Sequence, residues 1–232
     1  MKAIIVAAGR SSRLYPLTLD TPKPLLKING LSIIENSINN LYESGVCDIA
    51  VVTGYLKEQF LGLLKDRVRF FENPFYAFTN DMASFWCARD FVKDDDFLYI
   101  HGDLVLHPDI IKKCLDKKGA MVLVVDKKIC DEEDMKVRLE KGVFAESSKE
   151  IPLEKSYGEW IGLAKFSKEA GLLVFNEIEN ILSEGRVNEY DSYAFTRLAQ
   201  HGKKIDICHT DGFFWAEIDT MKELERVRGH IR

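Results

Sequence analysis

Five short apolar runs rich in β-branched residues, separated by stretches of helical spacing, fill the first 126 residues and leave few folds open. The runs are Lys2–Ala7, Ile49–Thr53, Val68–Phe71, Phe97–Ile100 and Met121–Val125. Helical spacing appears at Ser32–Tyr42, where Ile33, Ile34, Ile38 and Leu41 share a face, and again at Leu56–Leu64, Asn80–Phe91 and Pro108–Asp116. Strands apolar on both faces must be covered on both sides. Helical crossovers between them produce a mostly parallel sheet flanked by helices. Ligands of such sheets bind at the carboxyl ends of the strands, where the strand order reverses. From residue 130 the rhythm breaks. Lys136–Leu139 and Gly142–Phe144 read as antiparallel ribbon and Trp160–Phe166 as a strand, followed by helices at Lys168–Leu182 and Asp191–His201. Lys204–Cys208 and Phe213–Ile218 read as late strands and Met221–Arg228 as a closing helix. There is no internal repeat or flexible linker, so residues 1–232 are read as a single α/β domain with a small antiparallel insertion.

Several function classes drop out. The net charge of −5 argues against a general nucleic-acid surface. No apolar run approaches the ~20 residues of a membrane span, and the apolar start, Ala3 to Ala8, meets Arg10 too soon for a signal peptide. The five cysteines, Cys47, Cys87, Cys114, Cys130 and Cys208, show no C-x-x-C spacing, which points to a reducing cytoplasm rather than a disulfide framework. The charge is unevenly placed, however. Residues 1–30 hold Lys2, Arg10, Arg13, Lys23 and Lys27 against Asp20 alone, a local +4 on an acidic body. A small basic mouth suits a small polyanion.

Two segments in that basic stretch carry chemistry. Ala7-Ala8-Gly9-Arg10-Ser11-Ser12-Arg13-Leu14 follows the first strand, where small residues let the backbone approach a ligand and successive N–H groups bind anions. It is not a dinucleotide fingerprint, since Ser11 and Leu14 stand where G-x-G-x-x-G requires glycine, and no Gly-Lys-Ser/Thr follows for a P-loop. Thr21-Pro22-Lys23-Pro24-Leu25-Leu26 then places one lysine between two prolines, which stiffen the backbone and fix where the ammonium points.

Together the two segments resemble the N-terminal region of the nucleotidyltransferases that activate phosphorylated sugars and alcohols, although that family's usual pattern has glycine at the position of Ser11. His101-Gly102-Asp103 closes a buried strand with a carboxylate, and Trp215-Ala216-Glu217-Ile218-Asp219-Thr220 resembles the family's late W-x-[DE]-[IV]-D-T segment. Ala7-Ala8-Gly9, Val52-Thr53-Gly54-Tyr55 and Asn73-Pro74-x5-Asn80-x3-Ser84 are similar to the CTP-using members, which act on phosphocholine, inositol-1-phosphate or aminoethylphosphonate. The resemblance implies a Rossmann-like fold of the nucleotide-diphospho-sugar transferase type. It divides the chain into a nucleotide-binding half, 1–126, and a half, 127–232, that binds the acceptor and supplies the second metal ligand.

The implied reaction moves CMP from CTP to a small phosphorylated alcohol and releases pyrophosphate. Asp103 and Asp219, joined by Glu217 on the same strand face, would hold Mg²⁺. Arg13 would hold the leaving pyrophosphate, and Lys23 the α-phosphate or the acceptor phosphate. Ala7, Ala8, Gly9, Arg10, Ser11, Ser12, Gly54, Asn80 and Ser84 would bind the nucleotide. Glu159, Trp160, Glu189 and Tyr190, with Asp191 beside them, are candidates for the acceptor. His101 reads as a satisfied structural histidine. Glutamine occurs only at Gln59 and Gln200, a bias found in heat-adapted chains, and this alone puts inositol-1-phosphate ahead of phosphocholine and aminoethylphosphonate. The competing readings are a sugar-1-phosphate uridylyl- or thymidylyltransferase, a glycosyltransferase, which favours an Asp-x-Asp that His101-Gly102-Asp103 lacks, and a nucleotide-binding module without turnover.

Overall fold

The structure, a computed structural model, describes residues 1–230. In chain order the strands are β1 (Lys2–Ala7), β2 (Lys27–Ile28), β3 (Leu31–Ser32), β4 (Asp48–Thr53), β5 (Arg69–Glu72), β6 (Phe97–His101), β7 (Leu104–Leu106), β8 (Met121–Asp126), β9 (Lys136–Glu140), β10 (Val143–Ser148), β11 (Gly158–Phe166), β12 (Asp206–His209) and β13 (Trp215–Glu217). The helices are α1 (Ile33–Glu43), α2 (Lys57–Leu64), α3 (Asp81–Cys87), α4 (Arg89–Val92), α5 (Pro108–Asp116), α6 (Lys168–Ser183), α7 (Asp191–Gln200) and α8 (Met221–His230).

A nine-stranded sheet runs in the order β10-β9-β11-β6-β1-β4-β5, with β8 and β12 joined beside β11. β6, β1, β4 and β5 are mutually parallel, and β11 enters antiparallel to β6 and β8. The chain leaves β1 towards β4 on one side and returns to β6 on the other. The carboxyl ends of β1 and β6 are therefore neighbours at the reversal point, where a ligand cleft forms. β1 alternates its side chains between two cores. Ile4 and Val6 pack with Phe85, Tyr99 and Phe175 on one face, and Ala3, Ile5 and Ala7 with Ile34, Ile38 and Ile110 on the other. That double burial is why β1 reads as an unbroken apolar run. On the second face α1 begins at a reciprocal cap: Ser32 Oγ accepts from Glu35 N, and Glu35 reaches back to Ser32 N.

The structure departs from the sequence reading at three places. Residues 8–30 are more ordered than a loop: single 3₁₀ turns form at Ser12–Leu14 and Lys23–Leu25, and β2 pairs with β3. The helix expected over Asn80–Phe91 breaks at Ala88, whose N–H turns back to Phe85 O, so that α4 buries Phe91 and Val92 separately. The late strands β12 and β13 are shorter than expected, and β13 pairs with β7, which the sequence did not reveal. Among the described residues no helix is long and apolar enough to cross a membrane, and the cysteines are all free.

Candidate active site

The loop after β1 is drawn over the strand ends by backbone bonds. Tyr55 N donates to Ala8 O, and Gly102 N donates to Val6 O at 2.8 Å. A Cβ at Gly102 would stand 2.7 Å from that same oxygen, so only glycine permits the approach. Ser11 takes the left-handed conformation (φ 52°, ψ 49°), which is where the family's glycine would sit without strain. The Ser11 carbonyl is pinned by Thr18 Oγ1 and by Leu14 N.

Asp103 lies in the tight turn between β6 and β7. Pairing of β7 with β13, continued by the Ile218 N to Asp103 O bond, carries Glu217 and Asp219 to it from the far end of the sequence. One carboxylate oxygen from each of the three residues lies within 4.8 Å of the others. Asp219 is freed for this role because Glu223, not Asp219, accepts from Thr220 N and from Asp219's own N at the start of α8. Lys23 is only 6% exposed, held by its flanking prolines with its ammonium 2.6 Å from Asp103 Oδ2 and 2.7 Å from Asp219 Oδ1. Arg13 reaches Asp219 Oδ2 at 2.7 Å. Burial alone would lower the Lys23 pKa, but Asp103, Asp219 and Glu217 outweigh it and keep the ammonium charged above the ordinary lysine range. Burial and the two neighbouring aspartates push Glu217 up to about 8. Asp103 Oδ1 is buried without a hydrogen-bond partner. Three hard carboxylates with such an orphaned oxygen fit a divalent cation of the magnesium type.

A second cluster stands at the end of β6. His101 Nε2 is 2.9 Å from Asp191 Oδ2 and 3.8 Å from Asp81 Oδ2, and Asp191 N donates to Asp81 Oδ1 at 2.9 Å. Burial opposes charge on His101, but Asp191 and Asp81 overcome it and push the imidazole up to about 10. Burial and Asp191 push Asp81 up to about 7, against the pull of His101. The imidazole fits because β11 bulges at Gly162 (φ 82°), where a Cβ would meet His101 Nδ1 at 2.6 Å. His101 is thus hydrogen-bonded, to Asp191, with Asp81 adding a second nearby carboxylate at the site. Asp81 was missed: a residue following Asn80 at a helix start reads as capping, and its proximity to Asp191 across 110 positions has no local signal.

The first cluster, with Asp81 and His101 of the second, lines one cleft of about 670 Å³. Ala7, Ala8, Gly9, Ser11, Asn80 and Ser84 line it on the first-half side, and Glu159, Trp160 and Tyr190 on the other. Ser84 accepts from Asn73 Nδ2 at 3.0 Å, which sets its hydroxyl. Three nucleotide candidates and two acceptor candidates, Glu189 and the fully buried Asp191, lie outside this lining. Arg10 extends over the Tyr76 ring, Ser12 begins a 3₁₀ turn, and Gly54 packs against Tyr76 and Ala8 O. Glu189 pairs with Arg186 at 2.6 Å, on the loop before α7. Buried Glu159 meets Lys128 at 2.6 Å, and Lys128 also meets Asp134 at 3.1 Å.

Comparison with known proteins fits this geometry. Residues 3–135 match the MobA-like NTP transferase domain. The CTP:phosphoglutamine cytidylyltransferase of Campylobacter jejuni is 31% identical over 249 residues, covering 97% of this chain and 98% of the relative. Among solved structures, the CTP:phosphocholine cytidylyltransferase of Streptococcus pneumoniae superposes with a TM-score of 0.81 at 24% identity, over 100% of this chain and 99% of that one. The inositol-1-phosphate CTP transferase of T. maritima gives 0.82 at 21% identity, over 98% and 94%. At those identities the two structures establish a shared fold.

Proposed function

We propose that this chain, which belongs to the MobA-like NTP transferase domain family, transfers CMP from CTP to a small phosphorylated compound and releases pyrophosphate. The observation that carries this reading is the convergence of Lys23 and Arg13 on Asp103 and Asp219, beside a loop of small residues at the reversal point of the sheet. The full-length relative from Campylobacter jejuni supports CTP as the donor.

In the proposed reaction a phosphate oxygen of the acceptor attacks the α-phosphorus of CTP in line. The new P–O bond forms as the bond to the β-phosphate breaks, and its electron pair leaves with pyrophosphate. The acceptor is already nucleophilic, so the protein's work is positioning and charge neutralisation. The backbone from Ala8 to Ser11 cradles the nucleotide phosphates, Arg13 follows the charge that grows on the leaving group, and Lys23 meets the α-phosphate or the acceptor phosphate. Asp103, Glu217 and Asp219 would hold Mg²⁺, which when bound neutralises phosphate charge. The side chains of Asn80 and Ser84 read the base, and a site that pairs the 4-amino edge rejects UTP by about tenfold or more.

Pyrophosphate release tests the reading. CTP, UTP, dTTP and ATP are each offered with inositol-1-phosphate, phosphocholine, 2-aminoethylphosphonate and phosphoglutamine. Turnover with CTP supports it, preference for UTP or dTTP with a sugar-1-phosphate moves the chain to the sugar-activating branch, and binding without turnover makes it a nucleotide-binding module. Inositol-1-phosphate rests on low glutamine content alone, so the panel rather than composition chooses the acceptor.

A further inference from the structure

We infer that Asp81 is the specificity-determining carboxylate for a cationic amino group on the acceptor, held in place by Asp191 and His101. The inference rests on the cytidylyltransferase reading and names the class of acceptor that reading leaves open.

The two aspartates of the second cluster are not equivalent. Asp191 is 0% exposed and fully engaged, with Oδ1 accepting from Ser192 N at 2.6 Å and Oδ2 facing His101. Asp81 Oδ1 is engaged too, accepting from Met82 N and Asp191 N. Asp81 Oδ2 stands 3.8 Å from the imidazole, beyond hydrogen-bond reach, on a side chain 21% exposed to the cleft. It is a carboxylate oxygen presented to a ligand by a fixed frame.

Trp160 gives an independent indication of a ligand here. It is only 3% exposed, lines the same cleft, and packs edge-on against His101 with ring centroids 5.1 Å apart, yet its indole N–H has no partner. A buried donor is rarely left unpaired unless something else satisfies it, and an N–H calls for an acceptor atom, here an oxygen of the same acceptor molecule and not its ammonium. The nearest cation, His101, directs its Nε2 to Asp191 at 2.9 Å and leaves Asp81 Oδ2 without a hydrogen bond from it, while Lys128 is paired with Glu159 and Asp134, and Lys149 with Glu133. A carboxylate oxygen presented to the cleft by a fixed frame favours an ammonium over a hydroxyl.

The test uses a matched pair of acceptors, 2-aminoethylphosphonate and propylphosphonate, which differ by an ammonium against a methyl. Asp81→Asn keeps an oxygen for the Met82 and Asp191 amides and removes only the charge. Asp81→Ser, a short polar side chain at the first position of α3 that leaves the Asn80 cap in place, guards against a folding defect in the first variant. Binding is read by calorimetry as well as by turnover. The wild type is expected to favour the amine by about tenfold or more, the worth of one hydrogen bond to a charged group. Both variants are expected to erase that preference while their affinity for CTP alone stays within about twofold, because the group acts on the acceptor. The inference is overturned if the wild type shows no preference for the amine, if the preference survives in both variants, or if CTP binding weakens in parallel. CTP turnover without an amine preference defeats only this inference, whereas failure to bind or use CTP defeats the functional reading itself. Amine binding measured by calorimetry decides the role of Asp81 in either case.

Discussion

The ammonium of Lys23 and the carboxylate of Asp219 meet at 2.7 Å across 196 positions of sequence. With Asp103 on its other side, Lys23 stands between two carboxylates proposed to hold Mg²⁺, so its own charge competes with the ion. Under the proposed function the competition would end when nucleotide phosphates offer the lysine another anion.

Lys23→Met is therefore expected to bind Mn²⁺ about tenfold more tightly than the wild type when no nucleotide is present, a Coulombic effect between close charges. Titration followed by electron paramagnetic resonance reads this directly. The same variant leaves Asp103 and Asp219 partly unpaired. It should therefore melt at a lower temperature in chelator, by a loss on the order of 3 kcal/mol, and recover when Mn²⁺ is added. Unchanged Mn²⁺ affinity would mean that lysine and ion do not compete.

Asp103→Asn and Asp219→Asn should each lower kcat by about 10²–10³, the cost of one well-placed electrostatic group. Circular dichroism should show the fold intact, since each change keeps the side-chain shape. Near-normal rates in Mg²⁺ for both variants would remove the cation from this cluster.

Glu217 supplies the pH dependence. Burial and its aspartate neighbours raise its pKa to about 8, so it is largely protonated at neutral pH and must lose that proton to ligate. Mg²⁺ affinity should rise between pH 6 and 8, with close to one proton released per ion near pH 7, read by calorimetry in buffers of different ionisation enthalpy. For stability the sign reverses. A carboxyl group raised from 4.5 to about 8 costs the fold stability as pH climbs through that window, so Glu217→Gln should stabilise the metal-free protein at pH 8 and make no difference below about pH 4.

Ser11 is a residue of the loop after β1 that a glycine would improve. At φ 52° its side chain is strained, and Ser11→Gly should raise stability by roughly 0.5–1 kcal/mol with turnover retained. A lower melting temperature would show that the serine side chain contributes more to the loop than its backbone strain costs.

The parallel half of the sheet was legible in the sequence because its strands are buried on both faces, so β1 and β4 stand out as unbroken apolar runs. Lys23, Asp103 and Asp219 were legible because the two prolines, the end of the buried run at His101-Gly102 and the late W-x-[DE]-[IV]-D-T segment mark them locally. The three-residue strands β7 and β13 carry too little pattern to be read, although their pairing assembles the acidic cluster. Asp81 and the bulge at Gly162 were invisible for a related reason. Each has meaning only against His101, which other strands bring to it.

That β7–β13 pairing also sets an order of events during synthesis. A chain translated as far as residue 200 already holds the loop after β1, Lys23, Asp103 and the whole Asp81–His101–Asp191 group. It lacks Glu217 and Asp219, which arrive only with β13 and dock last, onto a strand made more than a hundred residues earlier. On the ribosome, or after clipping of its final segment, such a chain would lack two of the three clustered carboxylates and the wall that Trp215 to Arg226 adds to the cleft. Under the proposed function, competence for turnover would be gained only in that late step, after the earlier strands have had time to form.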